Sequence, residues 1–146
     1  MLSTFQLQEK SLAFVVVVHV ACLGHAGSPA VQFDRQVLTD EYYCDGVDAG
    51  DIDSDGHVDI VAGPFWYRGP KFTESTAFYE PVALPKEPSP SNSMFSFVHD
   101  FSGDGRADIL VLGRVHKHPA FWYENPGAVE GHWKRHYAFE RVRGES

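Results

Sequence analysis

An internal repeat constrains the fold of this chain more than any other feature of its sequence. A first aspartate cluster, GDIDSDGHVDIVAG at Gly50–Gly63, is followed 49 residues later by a second, HDFSGDGRADILVLG at His99–Gly113. An aromatic FWY segment follows each cluster, at Phe65–Tyr67 and again at Phe121–Tyr123. Because these landmarks recur in the same order, they indicate two copies of one structural unit.

Each copy predicts four short β-strands. In the first copy they lie in GVDAG, VDIVAG, FWY and STAFYE, and in the second in MFSFVH, ADILVLG, FWY and RHYAFERV. Glycine and proline follow each FWY segment, and neither copy has a long segment with the apolar period of a helix. Four short strands at a period of about 50 residues are typical of a propeller blade. We therefore predict an all-β protein of two four-stranded antiparallel repeats, which are β-propeller blades.

The repeats set the predicted domain boundaries. Repeat 1 covers residues 40–80 and repeat 2 covers residues 94–146, and the proline- and serine-rich connection at residues 81–93 is expected to be extended and exposed. A complete propeller has about four to eight blades. We therefore expect a partial propeller, as a piece of a longer protein or as blades that associate with other copies; a small open sandwich is the alternative.

Residues 1–26 have the three-part layout of a secretory signal peptide. Lys10 precedes the apolar stretch LAFVVVVHVACLG, and the small-residue sequence Gly24-His25-Ala26 ends the segment. The stretch is shorter than the roughly 20 apolar residues that a transmembrane helix needs. We predict cleavage after Ala26 and a secreted, periplasmic or cell-surface location, whereas a buried strand or helix of the domain is the alternative.

Charge and cysteine content argue against a nucleic-acid-binding protein and against a fold held together by disulfide bonds. The formal net charge is -8, so nucleic acid is not an expected partner, because phosphate binding needs a basic face. After cleavage Cys44 would be the one remaining cysteine. It cannot form an internal disulfide, and we interpret it as a small buried hydrophobic residue.

The aspartates of each cluster are spaced as ligands of a hard cation. Two carboxylates about 4 Å apart repel each other by about 1 kcal/mol in water, and by more at a lower dielectric. Calcium, which takes six to eight oxygen ligands, would relieve this repulsion. We expect side-chain ligands at places one, three, five and nine, a carbonyl at place seven, and a positive φ at the glycine in place six. These ligands are Asp51, Asp53, Asp55, Asp59 and the carbonyl of His57 in the first loop, and Asp100, Ser102, Asp104, Asp108 and the carbonyl of Arg106 in the second.

The two loops are not expected to bind calcium equally. The second has a hydroxyl, that of Ser102, in place of a carboxylate and carries Arg106 nearby, so it should bind more weakly. Neither loop is an EF-hand, because Ala62 and Val111 stand where that motif needs a bidentate glutamate. A solvated acidic turn with Asp-Gly turn chemistry is the alternative interpretation of both loops.

The sequences DIDSDGHVDI and DFSGDGRADI, each followed by an aromatic segment, resemble the FG-GAP/VCBS repeats of integrin-α-like β-propellers. The resemblance covers about residues 45–140. It implies seven-bladed propellers that bind calcium in the loop between the first two strands of a blade. It also implies secreted or surface proteins that act in adhesion or as scaffolds. This chain departs from the family in having only two copies.

Two classes of function therefore stay open. The first is a non-catalytic, calcium-binding module for a glycan or protein ligand, and we expect this chain alone to catalyse nothing. The second is part of a propeller-bearing sugar lyase that resembles aldos-2-ulose dehydratase, with a metal site that includes histidines. The histidines in question are His116, His118, His132 and His136, which also have zinc-like spacing but are typical of a polar surface.

Overall fold

The computed structural model describes residues 31–85, 90–113, 118–127 and 131–141. The predicted signal peptide and His116 lie outside these residues. Every strand in the described part of the chain lies within the compact unit Arg35–Ser146. Among the described residues, no helix has both the length and the apolar character needed to cross a membrane.

The fold consists of two four-stranded antiparallel sheets, each built by strands that pair in the order of the sequence. The first blade contains β1 (Val47–Gly50), β2 (Asp59–Ala62), β3 (Phe65–Tyr67) and β4 (Ser75–Ala77). The second contains β5 (Phe95–His99), β6 (Asp108–Leu112), β7 (Ala120–Glu124) and β8 (Lys134–Phe139). The prediction of an all-β fold with two four-stranded, blade-like repeats is confirmed, and the two sheets do not close into a ring.

The hydrophobic core lies between the two blades. Val61 of β2 is paired with Trp66 of β3, so both side chains point to the same face of the first sheet. They are 0% and 3% exposed. Burying a large apolar side chain completely stabilises the folded state by about 1.5–3 kcal/mol. The core cluster is completed by Ile52, Phe78, Ile109, Val111, Tyr123 and Trp133.

The blades approach each other closely where β1 meets β5. A carboxylate oxygen of Asp48, Oδ2, accepts a hydrogen bond from the backbone N–H of Val98 at 2.7 Å. Just before β1, a Cβ atom on Gly46 would lie 2.3 Å from the carbonyl oxygen of Met94. Real Cβ atoms do not come this close to a backbone oxygen, so the contact between the blades requires glycine at position 46.

The connection between the repeats is less exposed than the sequence predicts. Ser91 and Ser93, near its end, are completely buried. The backbone N–H of Asp45 donates to Ser91 Oγ at 3.1 Å, and the backbone N–H of Ser91 donates to Asp45 Oδ2 at 2.8 Å. The expectation of an exposed segment is therefore wrong for these two serines, because their small polar side chains and backbone groups are bonded in the interior.

Cys44 is a free, half-buried cysteine. Burial raises the pKa of its thiol, and the nearby carboxylate of Asp45 adds to the effect. A raised pKa lowers the fraction of reactive thiolate. This environment agrees with the interpretation of Cys44 as a packing residue, although the side chain is not fully buried.

Candidate metal centre

The two aspartate loops share an unusual backbone conformation. Gly56 and Gly105, in the sixth place of each loop, have φ values of 88° and 89°, which confirms the prediction of a positive φ at both positions. A Cβ atom at either glycine would meet no atom within 4 Å. Glycine is therefore favoured here by its freedom to adopt a positive φ and not by lack of space.

The first aspartate of each loop holds the loop closed through backbone hydrogen bonds. Asp51 accepts from the N–H groups of Asp55 and Gly56, each at 3.0 Å. Asp100 accepts from Asp104 at 3.1 Å and from Gly105 at 2.9 Å. The Gly105 N–H, together with further backbone donors, lowers the pKa of Asp100 below its ordinary value. Hydrogen bonds to the backbone therefore order both carboxylates.

The last aspartate of each loop is completely buried and fastens the loop to the sheet. Asp59 accepts from the N–H of Ile52 at 2.8 Å and from the N–H of Gly69 at 2.7 Å. Asp108 accepts at the equivalent positions, from Phe101 at 2.9 Å and from Asn125 at 2.8 Å. Sequence reasoning expected these aspartates only as ligands. The structure shows that both are also buried acceptors for main-chain donors.

Three carboxylates of the first loop converge. Asp51, Asp53 and Asp59 each place an oxygen within 4.8 Å of the others. Oδ2 of Asp53 is buried, and its partner is the guanidinium group of Arg68, whose Nη2 forms an ion pair with it. A buried carboxylate is costly unless a positive charge compensates it. Asp55, in the fifth place, lies outside this group of three; its Oδ1 accepts from the N–H of His57 at 2.9 Å.

An arginine already supplies positive charge to the first loop. Arg68, the residue after the FWY segment, forms an ion pair with Asp53 through Nη2. Its Nε lies 3.5 Å from Oδ2 of Asp55. Sequence reasoning missed Arg68, and its place directly after β3 is the one signal that would have suggested it. A calcium ion at Asp53 would have to compete with this guanidinium group.

The second loop is arranged differently. Among the described residues, no group of three converging carboxylate, histidine or cysteine side chains occurs there. Arg106 pairs with Asp104 and donates through Nε to the carbonyl of Asn125 at 2.9 Å. Ser102 Oγ donates to Asp100 Oδ1 at 3.3 Å. The contributions of the His57 and Arg106 carbonyls, like the rest of the two predicted ligand sets, stay predictions.

No histidine belongs to a converging group of three ligating side chains within the described ranges. His136 has another partner, because its Nε2 lies 2.5 Å from Oε2 of Glu124. Its ring also stacks on Trp122, with 4.1 Å between the ring centroids. His136 thus makes side-chain contacts within the second sheet that do not require a metal.

The donor atoms of the first loop fit a hard cation. All three converging groups are carboxylates, and oxygen ligands are preferred by calcium and magnesium over softer metals. Fold and loop together define a two-blade, all-β protein with an acidic candidate site in the loop between β1 and β2 of its first blade. Comparison with protein-family models, with curated proteins and with solved structures finds no match.

Proposed function

We propose that this protein is a secreted calcium-binding module of the FG-GAP/VCBS type, which acts as a non-catalytic binding or adhesion scaffold. The observation that carries the proposal is the convergence of Asp51, Asp53 and Asp59 within 4.8 Å in a loop that the chain repeats. Three like charges so close together destabilise the loop unless a cation lies between them. Arg68 compensates part of this charge, and calcium would compensate more.

Calcium suits this loop better than magnesium. Calcium accepts six to eight oxygen ligands in flexible geometry, whereas magnesium demands near-ideal octahedral coordination. Asp51 and Asp59 are fixed by hydrogen bonds to the backbone, and Asp53 lies among them. The loop thus offers carboxylates at irregular positions, to which waters and carbonyls would add.

The outer face of the second blade supports further blades as partners, from a longer chain or from another copy. Val61 on the first blade is completely buried against the second blade. The repeat-equivalent residue on the second blade is Leu110, which is only half-buried. Phe97, paired with Leu110 on the same face, is 45% exposed. The face that is covered in the first repeat is thus left open in the second.

The test of calcium binding is a pair of thermal melts, in calcium and in chelator, on the wild type and on Asp53→Asn. Binding to the native state alone stabilises it by about 2.7 kcal/mol at a hundredfold excess over Kd. We expect the wild type to melt at a higher temperature in calcium and Asp53→Asn to lose most of this rise. Asp104→Asn, in the weaker second loop, should lose less of the rise, since Asp104 also pairs with an arginine but belongs to no converging group. Coincident wild-type melts in calcium and chelator would contradict the proposal.

A further inference from the structure

The first blade has one face in the core between the blades and one face that points away from it. Neighbouring residues of a strand point to opposite faces of a sheet. Val61 of β2 lies in the core, so its neighbours Ile60 and Ala62 point away from the second blade. We call this outward face the tail face. Its apolar members are Val47, Ala49, Ile60, Ala62 and Phe65.

The second blade has a corresponding head face, which points away from the first blade. Ile109 and Val111 of β6 lie in the core, so Leu110 and Leu112 point outward. Strand pairing places further apolar side chains beside these two leucines. The apolar members of the head face are Phe95, Phe97, Leu110, Leu112 and Trp122.

The head face is the repeat-equivalent of the surface that the first blade buries in the core. The offset of 49 residues relates Val61 to Leu110, and the FWY segments relate Trp66 to Trp122. Val61 and Trp66 are 0% and 3% exposed, whereas Leu110 and Trp122 are only half-buried. The chain itself thus shows what covers such a face, namely the opposite face of another blade of the same kind.

The tail face is likewise equivalent to the surface with which the second blade covers the first. Ser96 is the equivalent of Val47, and Ile109 is the equivalent of Ile60. Ser96 is 4% exposed and Ile109 is 0% exposed, whereas Val47 is 65% exposed and Ile60 is half-buried. Each end of the blade pair therefore carries one half of an interface that the molecule already builds once internally.

We propose that a second molecule of this chain covers the head face with its own tail face, so that the molecules associate head to tail. The inference rests on the blade architecture of the proposed function and names its partner, and it uses none of the calcium ligands. Such an interface is heterologous, because different surfaces of the two molecules meet, and repeated contacts of this kind can close into a ring. Propellers have about four to eight blades, so a ring would contain about two to four molecules.

The closest contact between the two blades indicates which residues meet between molecules. Asp48 of β1 accepts a hydrogen bond from Val98 of β5. The equivalents of these two residues are Phe97 and Ala49, which are both exposed. An apolar contact between Phe97 of one molecule and Ala49 of the next would replace the polar one, and the small side chain of Ala49 leaves room for the phenylalanine ring.

Part of the tail face is already covered by the chain itself. Tyr43 packs edge-on against Phe65 of β3, with 5.2 Å between the ring centroids. Val47 and Ala49 on β1 stay exposed. The open part of the tail face is thus β1, the strand that meets β5 inside the molecule, so a second molecule can reach it without displacing Tyr43.

The experiment measures the mass of the whole chain in solution by sedimentation equilibrium over a range of concentrations, in calcium and in chelator. We expect the wild type to reach the mass of about two to four chains. Phe97→Glu on the head face and Val47→Glu on the tail face should each give monomers, because each places an unpaired carboxylate in the interface. A wild type that stays monomeric, or an association that survives both substitutions, would overturn the proposal.

A mixture of the two variants tests the head-to-tail arrangement directly. Phe97→Glu keeps its tail face and Val47→Glu keeps its head face, so an equimolar mixture should form one-to-one dimers and nothing larger. If Val47→Glu alone associated as the wild type does, two head faces would meet each other, and the head-to-tail arrangement would be refuted. Tyr137→Glu is the matched control, since Tyr137 is 58% exposed but is paired with Phe121 on the opposite face of the second blade. It should associate as the wild type does.

The results separate this inference from the calcium site. Monomers whose melting temperature still rises in calcium would reject the association alone. Association of a wild type with coincident melts in calcium and chelator would reject the calcium site alone. Val47 and Phe97 are 65% and 45% exposed in the single chain, so the circular dichroism spectra of both variants should match that of the wild type.

Discussion

The side-chain amide of Asn125 donates to the backbone carbonyl of Ile52 at 2.8 Å, across 73 residues of sequence. The same nitrogen donates to the carbonyl of Ala107 at 3.0 Å. Ile52 belongs to the first aspartate loop and Ala107 to the second, so one buried side chain joins both loops. The blades are therefore coupled through polar contacts as well as through the hydrophobic core.

Asn125→Ala should lower the free energy of unfolding by roughly 2–6 kcal/mol, because two carbonyls lose their donor and each unsatisfied group costs about 1–3 kcal/mol. Urea denaturation measures the change. Asn92→Ala removes the same side chain from an exposed position and serves as the control. Equal unfolding midpoints for the two variants would show that the Asn125 amide does not couple the loops.

Asp59→Ala and Asp108→Ala should both destabilise the protein in chelator, where no ion can contribute. Hydrogen bonds to a charged group contribute about 1.5–3 kcal/mol each. Asp108 accepts from Ser102 in addition to Phe101 and Asn125, so we expect the larger loss there. Asp55→Ala is the control, since Asp55 is exposed. If both buried variants unfolded at the wild-type urea concentration, the main-chain bonds of these aspartates would not stabilise the fold.

Arg68→Gln should tighten calcium binding by about tenfold, or 1.4 kcal/mol, because it removes a positive charge that competes for Asp53 and Asp55. This expected change in binding free energy is a fraction of the full Coulomb energy between the charges. Solvent screens the Arg68 side chain, which is 39% exposed. Calorimetric titration with calcium measures the affinity. Arg135→Gln, on the exposed edge strand β8, provides the matched change in net charge. Weaker calcium binding by Arg68→Gln would mean that the arginine supports the site instead of competing for it.

Glu124 should give the second blade a pH-dependent contribution. The hydrogen bond from His136 holds the pKa of Glu124 below its ordinary value of 4.5, and Lys134 acts in the same direction. Because the folded-state pKa is lowered, the stabilisation is present above the unfolded value and is lost as the pH falls through the folded value. The melting temperature of Glu124→Gln should therefore lie below that of the wild type at about pH 6 and approach it towards pH 3. A constant difference, equal to that of the exposed control Glu80→Gln, would contradict this.

The strands were predictable because each copy repeats the same local pattern. Apolar runs such as VDIVAG and ADILVLG are bounded by glycine and have the length of strands, and β2 and β6 lie within them. Only the ends differ, as in β8, which begins at Lys134, one residue before the predicted segment. The glycines in the sixth place were equally predictable, because the Asp-Gly turn demands a positive φ.

The tertiary roles of single polar residues were not predictable. The sequence around Asn125 predicts an Asn-Pro-Gly turn, and the hydrogen bond of Asn125 to Ile52 depends on how the blades pack. The ion pairs of Arg68 likewise depend on where β3 ends relative to the loop. Ser91 was assigned to an exposed connection because its sequence context is polar, although its side chain is buried against Asp45. Spacing along the chain carries no information about such contacts.

The buried aspartates that fasten each loop have a consequence for the modularity of the repeat. Their partners are main-chain N–H groups, which every residue except proline provides. The donors accordingly differ in kind between the blades, with Ile52 and Gly69 in one and Phe101 and Asn125 in the other. The side chains of each loop can thus change without loss of these bonds, because the buried aspartate contacts only main-chain N–H groups. Substitutions along the outer rim of the loop can therefore change its surface while the blade beneath keeps its shape.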